Sequence, residues 1–202
     1  FHPEIIPGLA EIGAFGPNIP TEYGGMGLDQ ISYGLIMQEI ERCDSGLRSL
    51  CSVQGSLAMY PIYKYGSEEQ KKKWLPEMVQ GRKIGCFGLT EPDFGSNPGG
   101  MVSTFQDKGD HYLLNGRKLW ITNGAEAGLF IVFATVDPSK GYKGITAFVV
   151  ERSAKGFAVG KKEDKLGIRA SSTTELILED VFVPAADVLG PVGQGYKIAI
   201  KA

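Results

Sequence analysis

Three short stretches carry the residue types that could do chemistry. The first runs Cys86-Phe87-Gly88-Leu89-Thr90-Glu91-Pro92-Asp93-Phe94-Gly95-Ser96-Asn97-Pro98-Gly99-Gly100. An apolar run leads into a loop of Thr, Glu, Pro, Gly and Ser, so a buried strand would deliver hydroxyls and a row of backbone N–H groups to a rim. Consecutive N–H groups in a glycine-bearing turn form a concavity that suits phosphate. The same residue types also mark an ordinary turn. The second stretch, Leu119-Trp120-Ile121-Thr122-Asn123-Gly124, follows Gly109-Asp110-His111-Tyr112-Leu113-Leu114-Asn115-Gly116. Taken alone, Trp120 reads as a core aromatic and Thr122 as a strand former. The third, Arg42 to Gln54, sets Arg48 beside Ser49 at the start of a mostly apolar helix. A guanidinium is costly to bury unpaired, and its planar fork matches a carboxylate. From the residues alone its partner stays open between Asp44 four positions back, solvent, and the carboxylate of a ligand.

Other chemistries find little support. The chain has 202 residues, 43% apolar and 22% charged, with a net charge of −2. That is an ordinary globular mixture, long enough for one large domain or two small ones. No basic stripe argues for nucleic acid. No apolar run approaches the roughly 18 residues of a membrane-spanning helix, and no signal-like segment opens the chain. Cys43, Cys51 and Cys86 are not spaced as metal ligands, and neither are His2 and His111. The cysteines read as free, buried thiols of a reducing compartment. Three glycines lie in Gly24-Gly25-Met26-Gly27, but no strand precedes them and no βαβ unit follows, so a nucleotide loop is disfavoured.

The elements that must position these stretches follow from periodicity. Ile5, Ile6, Leu9 and Ile12 mark a helix face within 3–13, and Ile31, Leu35, Ile36 and Ile40 mark another within 31–43. Residues 47–65 are apolar almost all round, as in a buried helix with Leu50, Val53, Leu57 and Ile62 at its core. Ser67 and Gln70 form a capping box for a helix with Lys71, Lys72 and Lys73 outward, which Pro76 is expected to split and Gly81 to end. From Ile84 the period becomes that of strands, clearest over 129–134, 145–150 and 173–183. No helical pattern intervenes, which predicts antiparallel pairing. A further helix is expected to open near Pro191. The class is therefore α+β: an N-terminal helical domain over 1–83, an antiparallel β-barrel-like domain over 84–189, and the start of another helical domain over 190–202. Both ends read as cut.

In order and spacing, the Thr-Glu-Pro loop, the Asp-x-Tyr-x-Leu-Asn-Gly-x-Lys string and the Trp-Ile-Thr turn resemble the acyl-CoA dehydrogenase family of flavoproteins. The Pro-Thr-Glu-Tyr-Gly-Gly-Met-Gly turn at 20–27 agrees with it. The resemblance covers essentially the whole chain and implies FAD as cofactor, lined by Phe87, Gly88, Leu89, Thr90, Gly95 and Ser96 from the first stretch and Trp120, Ile121 and Thr122 from the second. Thr90 would meet the pyrimidine edge and Gly95 and Ser96 the pyrophosphate, with Ser96 also near the CoA. Trp120 would pack on the isoalloxazine, and Thr122 would reach toward N5, where charge develops as hydride arrives. Two positions depart from the family: Asn97 replaces an aspartate, and Phe94 a small residue. The Asp-Ser-Gly-x-Arg-Ser string at 44–49, with Ser-Val-Gln after it, resembles the glutaryl-CoA dehydrogenase branch, where the Arg–Ser pair holds the far carboxylate of the acyl chain. Arg48 and Ser49 would then bind substrate. The segment 165–173 follows the general family instead, so a monocarboxylic short-chain substrate or a non-catalytic flavin-binding role are the alternatives. The resemblance also implies a homotetramer, reoxidation by an electron-transfer flavoprotein, and a bacterial cytosolic or mitochondrial-matrix location. Its catalytic glutamate is expected in a domain that the sequence does not reach, and Glu68, Glu69, Glu91 and Glu175 are not promoted to that role.

Overall fold

Side-chain caps set the helix boundaries of the N-terminal half. The computed structural model describes residues 3–202, so His2 lies outside it. After α1 (Ile5–Glu11), α2 (Gln30–Cys43) opens where the Asp29 carboxylate accepts from the Ser32 amide at 2.8 Å. α3 (Ser45–Ser52) opens where Asp44 accepts from the amides of Gly46 and Leu47. The helix then widens into a π turn (Val53–Met59) before closing as α4 (Tyr60–Tyr65). The capping box forms as expected: the Gln70 amide donates to Ser67 and the Ser67 amide to Gln70, starting α5 (Glu68–Val79).

Several expectations fail here. Ile12 falls after the end of α1 and is 68% exposed rather than on its inner face. Lys71 is not fully outward; it lies partly buried, paired with Glu68. Ile31 and Leu35 do not face the core; they are 75% and 58% exposed. Tyr33, Ile36, Met37 and Ile40 supply the inner stripe instead, because their 3–4 spacing makes a second face that the apolar count alone does not distinguish. Pro76 does not split α5, which runs through it. Pro76, near the helix end, forgoes only the bond to the carbonyl of the exposed Lys72. Leu57 is only half-buried, since the π turn rotates it away from the stripe of Leu50, Val53 and Ile62.

The second half is one mixed sheet. Its strands are β1 (Gly85–Gly88), β2 (Thr104–Asp107), β3 (His111–Thr122), β4 (Leu129–Thr135), β5 (Ile145–Glu151), β6 (Phe157–Lys162), β7 (Thr173–Pro184) and β8 (Val188–Leu189). They lie in the order β6-β7-β3-β2-β4-β5-β8, with β1 on β4. Most pairs are antiparallel, but β1 and β2 both run parallel to β4, which corrects the all-antiparallel expectation. The β2–β3 pair fills the excursion between β1 and β4, so a parallel neighbour arises without a crossover helix. All seven residues of β4 are buried, and Phe130, Phe133 and Phe148 centre the core. The last helix, α6 (Gly195–Ala199), begins after Pro191 rather than at it, because the Gln194 amide closes a turn onto the Pro191 carbonyl.

Gln54 and Asn123 join the two halves. Gln54 is fully buried in the π turn. Its amide group donates to the carbonyls of Met78 and Lys83 and accepts from the Gly85 amide. Asn123, just past β3 and at φ +68°, donates to the carbonyls of Leu50 on α3 and Gly85 on β1. Cys51 and Cys86 are buried and free; Cys43 is free but exposed, because it ends the outward side of α2.

Candidate functional site

The two motif stretches meet through the backbone. The Leu119 amide of β3 donates to the Thr90 carbonyl at 2.9 Å. Residues 91–94 close a tight turn in which Glu91 and Phe94 exchange both backbone hydrogen bonds at 3.2 Å. That turn pushes Gly95 and Ser96 into solvent, while Thr90 stays half-buried. Phe94 has a clear place: its ring lies so close to Gly100 that a Cβ there would come within 2.4 Å of it. The bulky residue at 94 is accommodated by the glycine at 100.

Trp120 is not a core aromatic. It is 61% exposed and held at φ +60°, a left-handed conformation that bulky residues seldom adopt. Such strain persists only where the surroundings over-determine it. Here β3 pairs with β7 before and after, and its register shifts between Lys118 and Ile121. The indole is thereby left exposed, two residues before the half-buried Thr122. Ile121 is buried and packs beneath the turn. Phe87 packs against Phe133 with ring centroids 4.9 Å apart, and Gly88 is buried beneath the rim. The resulting surface offers an aromatic face, two hydroxyls and open glycine-rich backbone. These fit a large planar group with polar edges and a phosphate tail, which is the shape and chemistry of a flavin dinucleotide.

Arg48 lies on α3, two residues from the Leu50 carbonyl that Asn123 grips, so the helix carrying it is tied to the Trp-Ile-Thr turn. Its partner is neither Asp44, whose carboxylate caps α3, nor solvent alone. Arg48 Nε donates to Glu41 at 2.5 Å and Nη1 to Ser52 at 3.3 Å, with the arginine side chain 35% exposed. Hydrogen bonds from Arg48 and Ser45 hold the Glu41 carboxyl below the usual carboxylate range. Ser49 is half-buried beside it.

A residue pair that the sequence did not single out lies behind the rim. Lys118 Nζ sits 2.7 Å from Glu91 Oε1, and both side chains are buried. The Glu91 carboxylate also accepts from the amides of Val102 and Ser103 at 2.7 and 3.0 Å. Glu91 is thus anchored and unavailable as a base. The available signal was alternation: beyond the irregularity near Gly116, Lys118 takes an inward position in β3. Elsewhere, Glu68 and Glu69 are exposed and Glu175 pairs with Arg117. Among the described residues no group of three His, Cys, Asp or Glu could hold a metal ion, and no helix is long and apolar enough to cross a membrane.

Two family descriptions match the chain. That of the acyl-CoA dehydrogenase N-terminal domain matches residues 1–82, and that of the acyl-CoA dehydrogenase middle domain residues 86–181. The mouse mitochondrial short-chain specific acyl-CoA dehydrogenase is 45% identical over 193 residues, covering 96% of this chain and 47% of its own length. The structure of butyryl-CoA dehydrogenase from Megasphaera elsdenii superposes with a TM-score of 0.94 at 44% identity, over 99% of this chain and 53% of that one. A glutaryl-CoA dehydrogenase from Mycobacterium smegmatis, solved in complex with FADH2, gives 0.92 at 44% identity, over 100% of this chain and 50% of that one. The chain spans about half the length of these relatives.

Proposed function

The chain belongs to the acyl-CoA dehydrogenase family, and from that premise we propose that it is the flavin- and substrate-gripping part of an FAD-dependent dehydrogenase acting on a short dicarboxylic acyl-CoA such as glutaryl-CoA. One observation carries the flavin reading: the Leu119–Thr90 hydrogen bond brings the Thr-Glu-Pro loop and the Trp-Ile-Thr turn together with Trp120 outward. FAD would supply the redox chemistry, taking hydride from the acyl β-carbon. The chain's own residues bind and orient. Thr90 and Thr122 offer hydroxyls to the polar edges, Gly95 and Ser96 offer backbone to the pyrophosphate, and Trp120 offers a stacking face. Arg48 and Ser49 receive the terminal carboxylate of the acyl chain. The base, the homotetramer and reoxidation by an electron-transfer flavoprotein belong to this proposal through the family resemblance.

A second reading has its own support. Glu41 already meets the Arg48 charge at 2.5 Å, which weakens the pull on a second carboxylate, and the mouse relative is a short-chain specific enzyme. A monocarboxylic substrate such as butyryl-CoA fits that arrangement.

The test is anaerobic addition of glutaryl-CoA and butyryl-CoA, side by side, to the FAD-loaded holoenzyme while flavin absorbance is followed. Bleaching by glutaryl-CoA alone, lost in Arg48→Ala, supports the dicarboxylate reading. Bleaching by butyryl-CoA with Arg48→Ala indifferent selects the second reading. Failure to take up FAD at all refutes both.

A further inference from the structure

We propose that the buried Glu91–Lys118 pair is a positioning device that fixes the spacing between the loop bearing Thr90 and the turn bearing Trp120, and through it the affinity for flavin. This rests on the flavin reading above. The pair sits one residue from Thr90 and two from Trp120. The Glu91 carboxylate gathers three segments: β3 through Lys118 Nζ at 2.7 Å, and the entry to β2 through the amides of Val102 and Ser103, all against its own loop. Lys118 reaches back to the Leu89 carbonyl at 3.4 Å.

Stability does not explain such a pair. Replacing a buried ion pair with well-packed neutral side chains is often neutral or stabilising. Burial pushes the Lys118 amine down to about 8 in spite of Glu91. Burial also works to raise the Glu91 carboxyl, but the Lys118 charge and the amides of Ser103 and Val102 hold it below its usual range. What the pair supplies is a fixed distance and direction. Its donors and acceptors converge from three segments, so the rim residues beside them have little freedom to separate. A buried hydrogen-bonded network of this kind specifies one arrangement when every member is satisfied.

Two variants test this. Glu91→Asp keeps both charges and shortens the reach. Glu91→Gln combined with Lys118→Met removes both charges, nearly preserves volume and keeps one acceptor oxygen, enough for one of the Val102 and Ser103 amides. FAD dissociation constants, the bound-flavin absorbance and the melting temperature without flavin are measured for each against the unaltered chain. The expected result is a melting temperature near that of the unaltered chain with FAD affinity weakened about tenfold, the equivalent of one lost contact, and a shifted flavin band. Unchanged FAD affinity in both variants overturns the positioning role while leaving the flavin reading intact. An affinity loss that only tracks a fall in melting temperature also overturns it, since the pair would then act on folding alone. If the unaltered chain binds no FAD, the flavin reading fails and the positioning role fails with it.

Discussion

Gln54→Met removes one amide while keeping nearly all of its volume. Gln54 is fully buried and makes hydrogen bonds to the carbonyls of Met78 (2.8 Å) and Lys83 (2.9 Å) and from the amide of Gly85 (2.6 Å). Each such bond contributes about 1 kcal/mol net, and more when the buried partner is left unsatisfied. The loss is therefore at least about 3 kcal/mol, a large part of the total stability of a domain. For a chain of this length that is a fall of roughly 6–12 °C in melting temperature. The assay is thermal unfolding followed by circular dichroism, with amide exchange read at Gly85. The Gly85 amide should lose protection more than its neighbours in β1. A fall below about 2 °C would refute the reasoning, because it would mean that the three backbone groups find other partners or need none.

Other outcomes follow from the same structure. Ser67→Ala removes the acceptor of the Gln70 amide and should cost about 1 kcal/mol, seen as a lower urea midpoint with an unchanged slope. Gly100→Ala drives a Cβ to 2.4 Å from the Phe94 ring and should destabilise by about 1–3 kcal/mol; adding Phe94→Leu should recover most of the loss, and no recovery would place the strain elsewhere. Of the three thiols, Cys43 alone should react with a thiol reagent in the folded chain, the buried Cys51 and Cys86 only on unfolding. Burial pushes Cys51 up to about 12 and Cys86 also well above the ordinary 9.0. Their contribution is present below pH 9 and lost as pH climbs toward 12, since only the unfolded chain then gives up those protons. Lys118, lowered from 10.5 to about 8, acts in the opposite sense between those values. Cys51→Ala with Cys86→Ala should therefore flatten the alkaline loss, and an unaltered slope in denaturant titrations at pH 8 and 10.5 would count against the assignment.

Features that depend on a few neighbouring residues were legible in the sequence. The Ser67–Gln70 box needs only an i to i+3 relation, and the β4 and β5 runs announce themselves by composition. The motif stretches were readable as strings, and the structure brings them together at Thr90 and Leu119. Features set by distant partners were not legible. Asp44 was the sequence neighbour of Arg48, but it is spent on the helix cap, and Glu41 reaches across the break between α2 and α3 instead. Lys118 and Glu91 stand 27 residues apart, and charge counting places both on the surface. Trp120 defied its type, because its exposure depends on a backbone angle that composition does not report. The parallel β1–β4 pairing needs the path of the intervening strands.

That parallel pairing has a consequence for how the chain is made. β1 leaves its helical neighbours with only half of its neighbourhood complete, and its partner β4 emerges about forty residues later, a long loop to close before any reward. During that interval the nascent chain holds back an unpaired strand, and β4 itself is Leu-Phe-Ile-Val-Phe-Ala-Thr, without charge or proline. Such a segment is a template for self-association while exposed. The residues beside it act as guards: Glu126 precedes it, and Asp137 and Pro138 follow it. β1 and β2 are already made when β4 emerges, and β5 follows within ten residues on the other side, so partners for both flanks of β4 are at hand soon after it appears. Synthesis order thus makes β1, not β4, the strand that waits longest for its sheet partner.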